Sequence, residues 1–583
     1  MARPPLRPFL LPRRPSALAG LALSLTLLGV SAASCGSSRT PADAEDGGGG
    51  GGPVFPDGGG ELATCKGGKM CVANAIHECD AQGKPGAKVG ECNGKTEVCI
   101  GGECQKGCAA ADLLTSNVGC EFWAVDLDQE NDGSNNAAAA PWGLVLSNAG
   151  DAPAEVFVEQ NDAAPGAPPK IGLFKRVVIA PGTLETIEMP AREVDGSTQG
   201  KNEGPGTMLS SNAFRVTSTQ PIIAYQFNAL RSQYSNDASL LLPTGSLGSV
   251  YRVLSWPSGK PISIFGSPID RGYVTVVGTR AGTQVSVTVA NAIVAGGSVP
   301  ATAKGGVVTA TLGPFDVLNL ETDGMPGDMT GTVVTSSAPV AVFTGTELSG
   351  APGAKKPPAP TDPSSQCCLD HLEEQLFPVE SYGRKFVIPR SPLRSSGSKY
   401  TDYDILRFMG VASAATVKTN LPPPDDSFTL NPGEVRETFT DKDFVADASE
   451  PIAVAQILVS QEYTENVLGD PSLTIFPAID QFREDYLFLV PGSWTKNYVA
   501  IAMPEGTTVT IDGAPPAGCV TATAGALEGK TYVALRCPLT EGVHKLKGDK
   551  PYGIVAYGYG RAGSYAFVGG ANVKKIYTPP PIR

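Results

Sequence analysis

Four stretches of this chain end in the same way, and that recurrence limits the fold more than any single motif. RVTSTQPIIAYQF (215–227), VVTSSAPVAVFTG (333–345), VADASEPIAVAQI (445–457) and KLKGDKPYGIVAY (545–557) each pass from a polar turn through a proline into a run of β-forming residues. The prolines, Pro221, Pro339, Pro451 and Pro551, are 118, 112 and 100 residues apart. That period is far longer than the roughly 40–45 residues of a single propeller blade. It suits a β-sandwich of about 100 residues. Proline at the first residue of a strand costs no ladder hydrogen bond, so the shared position predicts a strand start.

A shared opening follows most of these endings. LPTGSLGSVYRV (242–253), FPVESYGRKFVI (377–388) and FPAIDQFREDYLF (476–488) each set a proline ahead of an aromatic-rich strand. The first two carry Gly248 and Gly383 five residues after Pro243 and Pro378, and Tyr251 and Phe386 three residues later; the third has Phe482 in place of the glycine. Between opening and ending, YVTVVGTRAGTQVSVTV (273–289) and YVAIAMPEGTTVTI (498–511) alternate apolar and polar residues about Ala281-Gly282 and Glu505-Gly506, which predicts hairpins. Glycine and proline make up about a fifth of the 583 residues and 41% are apolar, a mixture for short strands and turns rather than disorder. The expected fold is all-β: tandem β-sandwich-like repeats over 119–230, 231–366, 367–460 and 461–583, with a propeller-like ring of β units as the alternative. The longest helical expectation is a turn or two at LDHLEEQLF.

The N-terminus predicts export. Residues 1–16 are basic, and ALAGLALSLTLLGV (17–30) has the length of a signal-peptide core and is short for a membrane span. Ser31-Ala32-Ala33-Ser34-Cys35 resembles a bacterial lipobox, with Ala32 where that motif usually has leucine. On this reading 1–34 is a lipoprotein signal and Cys35 the lipidated first residue, with ordinary signal-peptidase cleavage as the alternative. Gly36 rather than aspartate after the cysteine implies no inner-membrane retention and hence an outer-membrane address; cell-surface display is a further expectation, and the sequence leaves open which way the anchor faces. Residues 35–60, with six consecutive glycines at 47–52, form a flexible tether. The net charge of −13 falls to −17 without residues 1–34, which carry four arginines and no acid. Such a surface repels nucleic acid.

Setting Cys35 aside leaves twelve of the thirteen cysteines, an even number in an exported chain. Eight of them, Cys65, Cys71, Cys79, Cys92, Cys99, Cys104, Cys108 and Cys120, crowd a segment with almost no apolar core, and none form the C-x2-C pairs of structural zinc. Residues 61–118 are therefore expected to be a small disulfide module of open connectivity. Cys519 and Cys537 flank a segment that one bridge would close into a hairpin.

GCEFWAVDLDQ (119–129), LLLPTGSLGSVYRV (240–253), DMTGTVVTSSAPVAVFTG (328–345), CCLDHLEEQLFPVESYGRKFVI (367–388) and GDPSLTIFPAIDQFREDYLF (469–488) together resemble the IgGFc-binding protein N-terminal domain, in consistent order over 119–575. For a chain behind a lipoprotein signal the resemblance implies a myxobacterial-type member. It would be a surface domain that binds a protein or glycan, in adhesion, without implying that the ligand is antibody. It brings no catalytic residues. A structural envelope component without a dedicated ligand is the alternative, and a surface hydrolase a weaker one.

The strongest apparent active site is CCLDHLEEQLFP (367–378). Cys367 with His371 would be a thiol nucleophile and base, and Cys367, Cys368 and His371 a zinc set. In an oxidising compartment the favoured reading is disulfide, for Cys367 and Cys368 bonded either to each other or elsewhere. HLEEQ is then a linker into the next repeat, with His371 and Glu374 bonding backbone at a repeat junction. A hydrolase is opposed by the inventory: three histidines (His77, His371, His544), no G-x-S-x-G, and an S-x-x-K (Ser396 to Lys399) in a polar loop. Asp126-Leu-Asp128-Gln-Glu130-Asn-Asp132-Gly133 alternates acids before a glycine as calcium loops do, which makes Asp128, Glu130 and Asp132 candidate ligands. Position 139 is alanine where an EF-hand needs glutamate, so a solvated turn is the competing reading. No catalytic residue and no cofactor are otherwise expected.

Overall fold

In each repeat the proline-bearing ending forms one long strand that belongs to two sheets at once. The computed structural model describes residues 65–582 apart from 66, 73, 94–96, 131–136, 198–205, 231–234, 260–268, 354, 356, 358–367, 397–399, 466–467 and 493. The signal segment, Cys35, the tether, Cys367, Asp132 and Lys399 lie outside the described residues. In the second module the first half of the long strand Val333–Ser349 is flanked by the opening strand Gly248–Arg252 and by Thr283–Thr288. Its second half is flanked by Gly272–Gly278 and by an inner strand, Asp370–Gln375. Val307–Leu312 and Val317–Glu321 extend the two sheets outward.

The same plan recurs three times. In the first module Phe214–Asn228 is the long strand, with Gly119–Ala124 and Ala154–Asn161 on its first half and Gly143–Ser147 and the inner strand Asp237–Leu240 on its second. In the third, the long strand is cut into Phe444–Ala448 and Ile452–Leu458, each in its own four-stranded sheet, and Leu473–Ile475 is the inner strand. In the fourth, Gly542–Gly560 is long and Gly563–Val568 inner. The fourth departs from the plan at Val520–Leu527, which pairs with Lys530–Leu539 in a hairpin closed by the Cys519–Cys537 disulfide. The chain is all-β with a disulfide-rich N-terminal region, and among the described residues no helix is long and apolar enough to cross a membrane.

This architecture corrects two expectations. Pro221, Pro339 and Pro551 lie inside their strands, where pairing with the opening strand breaks register between Thr217 and Ile222, Thr335 and Val340, and Lys547 and Tyr552. The missing N–H falls where the strand passes from one sheet to the other, so no ladder bond is lost; only Pro451 stands directly ahead of a strand. The segments at 273–289 and 498–511 are not hairpins. Gly272–Gly278 and Thr283–Thr288 both pair with the long strand, in different sheets, and Lys496–Pro504 and Val509–Ile511 do the same in the fourth module.

The shared openings are junctions. Short 3-10 turns at Thr244–Ser246, Val379–Ser381 and Ile479–Gln481 follow Pro243, Pro378 and Ala478. A Cβ on Gly248 would lie 2.4 Å from Pro378 Cβ, and one on Gly383 2.4 Å from Ala478 Cβ, so each module's first residue abuts the next module's turn. The third opening is therefore in register at Ala478, one residue later than its proline, and Arg483 rather than Phe482 takes the glycine's place. Tyr251 accepts from Gly248 N at 2.9 Å and donates to Val340 O, and Tyr486 accepts from Arg483 N at 3.1 Å and donates to Tyr552 O.

The four modules close on themselves. The inner strand of the first packs against those of the second and fourth, and the inner strand of the third packs against the same two. One apolar core runs through the first three modules, a second joins the first to the fourth, and a third joins the third to the fourth. Asn117 N donates to Ala571 O at 3.0 Å and Ala571 N to Asn117 Oδ1 at 3.1 Å, sealing the last junction. Outside the ring, short strands between Lys69 and Gln105 are stapled by Cys65–Cys79, Cys71–Cys99 and Cys92–Cys104, and the buried core there is Cys71, Cys92 and Cys99 themselves. A segment this small cannot bury enough apolar surface without such staples. Cys108–Cys120 fastens it to the ring's first strand.

Candidate functional site

The ring encloses an unusual number of carboxylates, in two groups. The first lies among the four inner strands. Asp237 accepts from Ser472 Oγ at 2.7 Å and Ala238 N at 3.0 Å through one oxygen, and from Leu473 N at 2.9 Å and Glu373 N at 3.2 Å through the other. Asp370 accepts from Asn236 N and from Ser564 N of the fourth module. Glu373 accepts from Ser239 Oγ at 2.9 Å and Gln226 Nε2 at 3.4 Å, and Glu374 from Ile475 N at 3.3 Å. These acids satisfy backbone and hydroxyl donors where strands of different modules meet without forming a common sheet. Burial lifts Glu373 to about 8, against the pull of its hydrogen bonds, and raises Asp237 well above the usual range against the pull of Leu473 N and Ser472.

This placement also changes the CCLDHLEEQLFP segment. Asp370–Gln375 is a fully buried strand, neither helical nor a linker. Its polar residues are all buried, and Asp370, Glu373 and Glu374 accept from donors of other modules. Cys368 is disulfide-bonded, and its sulfur accepts from Gln461 Nε2 at 3.0 Å. His371 is wholly buried, 3.5 Å from Tyr273 Oη and 3.6 Å from Glu373, and burial holds it near pKa 3, hence neutral. His371 N donates to Ser235 Oγ, and Glu374 does bond a backbone amide at a module junction. His77 and His544 lie in other sheets, bonded to Gly86 O and to Asp512 and Thr540 O. A shallow pocket with room for little more than a water, at the seam of the third and fourth modules, is lined by Val387, Phe476, Phe482, Ala502, Ile554 and other apolar residues, with no nucleophile, acid or base.

The second group lies between the first and second modules. Asp126, Asp128 and Glu130 are buried, so the solvated-turn reading of this loop is overturned. The loop is drawn inward because it pairs with a second segment of its own module: Asp126 bridges Glu193 in parallel, Val194 N donates to Asp126 O at 3.0 Å, and Arg192 N donates to Asp126 Oδ2 at 2.7 Å. That pairing delivers Glu193 and Asp195 beside Asp128. From the second module come Glu321, at the end of a strand, and Glu347, near the end of the long one. One oxygen from each of Asp128, Glu193 and Asp195 lies within 4.8 Å of the others, and the same holds for Asp128, Glu321 and Glu347. Glu130 is not in either triad. Burial, then Asp195, raises Asp128 to about 7, and burial lifts Asp126 to about 8. Glu193 and Asp195 share one segment, but Glu321 and Glu347 come from two others, so no spacing in the sequence ties these acids to Asp128.

The comparisons agree with the fold-wide pattern. The family model described as IgGFc binding protein matches residues 237–558, from the first inner strand into the last long one. The human IgGFc-binding protein is 25% identical over 429 residues, which is 73% of this chain but 7% of that protein, so the chain corresponds to a small part of that relative. With more than half of its length matched by the family model, the chain belongs to the IgGFc-binding protein family.

Proposed function

We propose that this chain is an exported, lipid-anchored surface protein of a bacterium that binds a protein or glycan ligand, in adhesion, and catalyses no reaction. The family match, from the first inner strand into the last long strand, carries the reading. The lipobox-like Ser31 to Cys35 and the glycine-rich stretch to residue 60 support an anchor with a tether. The disulfides of the N-terminal segment and of the Cys519–Cys537 hairpin, with a cysteine-built core, support an oxidising destination. Antibody belongs to the name of the human relative, of which this chain matches a small fraction, and is not carried over. Ligand contacts are expected on loops at the outer ends of the modules.

Protease shaving of intact cells tests the display. Release of ring peptides, together with incorporation of a lipid label that Cys35→Ala abolishes, is the expected result. Retention of the protein inside intact cells, with co-purification of envelope machinery, would assign it to envelope structure instead. Unchanged labelling in Cys35→Ala would remove the anchor.

A further inference from the structure

We propose that Asp128, Glu193 and Asp195 of the first module and Glu321 and Glu347 of the second bind a calcium ion that clamps the two modules together. Five carboxylates converge here, and all five side chains are at least nine-tenths buried. Arg271 stands beside them, its Nε 3.9 Å from Glu321 Oε2 and its Nη1 donating to Thr322 O.

Asp128 supplies the independent observation. It is wholly buried, and beyond the amide of its own neighbour Gln129 and the Glu321 carboxyl beside it neither carboxylate oxygen has a hydrogen-bond partner, although it stands at the point shared by both triads. The contrast with Asp237, which collects four donors, shows that this fold supplies donors to a buried acid where the acid's role is to join strands. Gly206 forms the wall: a Cβ there would lie 2.0 Å from Glu321 Oε1 and 2.7 Å from Asp128 Oδ2, so only a bare backbone fits against the acids. Asn319 Nδ2 holds that wall through Gly206 O at 3.0 Å and steadies Glu321 Oε1 at 3.1 Å, leaving Oε2 turned to Arg271.

The donor set selects the ion. All the ligating atoms are oxygens, without imidazole or thiolate, which favours a hard cation over zinc or copper. Three oxygens within 4.8 Å of one another lie at most about 2.8 Å from a common point, so a small inward shift reaches the calcium–oxygen distance of about 2.3–2.6 Å. The two triads share Asp128, and carboxylates that ligate through one or both oxygens can supply calcium's six to eight ligands, whereas magnesium keeps most of its waters and is seldom caged by protein alone. Millimolar affinity would suffice outside the cell, where such modules fill at about 0.1–1 mM.

The test is calcium binding to the purified, disulfide-intact protein after dialysis against EGTA. Calcium at about 1 mM should raise the melting temperature by several degrees, with at least one ion per chain by titration calorimetry. Asp128→Asn should weaken calcium binding at least tenfold and lose the thermal shift, while melting in EGTA no lower than the parent. Asp195→Asn gives the same reading should Asp128→Asn fail to fold, and Glu373→Gln, at the inner strands, should keep both binding and shift. No calcium-dependent shift in the parent overturns the proposal, as does undiminished binding in the two site variants. Equal stabilisation by magnesium overturns the choice of ion.

Discussion

The acids among the inner strands and the acids between the first two modules are equally buried, yet the chain surrounds them differently. Asp237 is ringed by four donors from three modules, and Asp370 by amides from the first and fourth. Asp128, about as deep, has no partner beyond the Gln129 amide and the Glu321 carboxyl, and stands among four other carboxylates. Burial raises the pKa of acids in both groups, so desolvation alone does not separate them. What separates Asp237 from Asp128 is the set of donors on the carboxylate, four from three modules on the one and no amide or hydroxyl of another module on the other. An acid of the first kind is a strand junction; an acid of the second kind is a cost until a cation arrives.

The most severe way to break this comparison is Asp237→Ala. It orphans Ser472 Oγ, Leu473 N and Glu373 N inside the ring, and the expected loss is about 3–5 kcal/mol, measured by chemical denaturation. The deficit should be the same in calcium and in EGTA; a deficit repaired by calcium would merge the two groups.

A subtler test uses the proton. Glu373 is raised from 4.5 to about 8, so the folded protein holds its proton while the unfolded chain has released it. Its contribution is fully present below about pH 4.5 and is lost as pH rises through 8, at about 1 kcal/mol per pH unit between them. Gln226 and Ser239 face this carboxyl, with His371 beside it, and they also face the isosteric amide in Glu373→Gln. The variant should therefore gain stability relative to the parent as the pH goes from about 5 to 8. A flat difference across that range would show that Glu373 is ionised in the fold. The smallest effect is expected at an exposed acid. Glu528→Gln removes the 2.6 Å ion pair with Lys385 and should barely move the denaturation midpoint, with any shift gone in high salt. A large, salt-resistant shift there would mean that surface pairs rival the buried junctions.

How much of this was legible in the sequence depends on what periodicity can carry. The proline endings and the openings repeat because each serves one local geometry, a strand changing sheets and a turn against a glycine. They were legible as repeats before their role was known. Partners were not legible. Gly272–Gly278 and Thr283–Thr288 look like the arms of a hairpin because alternation reports which face is buried, not which strand lies alongside. The inner strands DASL, DHLEEQ, LTI and GSYAFV share almost no pattern, since each answers to three neighbouring modules at once. DHLEEQ in particular looks like reactive chemistry because its polar residues are buried for the sake of other modules' amides. The Asp126–Glu130 loop was legible as a possible calcium segment, but the four acids that converge on Asp128 are set by pairing and module contact.

The hydrogen bonds between Asn117 and Ala571 make the number of repeats a fixed quantity. An open solenoid gains or loses repeats at little penalty, because each repeat touches only its neighbours and any end can be capped. Here the fourth module is also the first module's neighbour, and the four inner strands pack on one another in a closed set. A three- or five-copy version of this chain would have to rebuild every junction, not one. Recombination that lengthens other repeat families is therefore closed to this one, and diversity has to arise on the loops that leave the copy number alone.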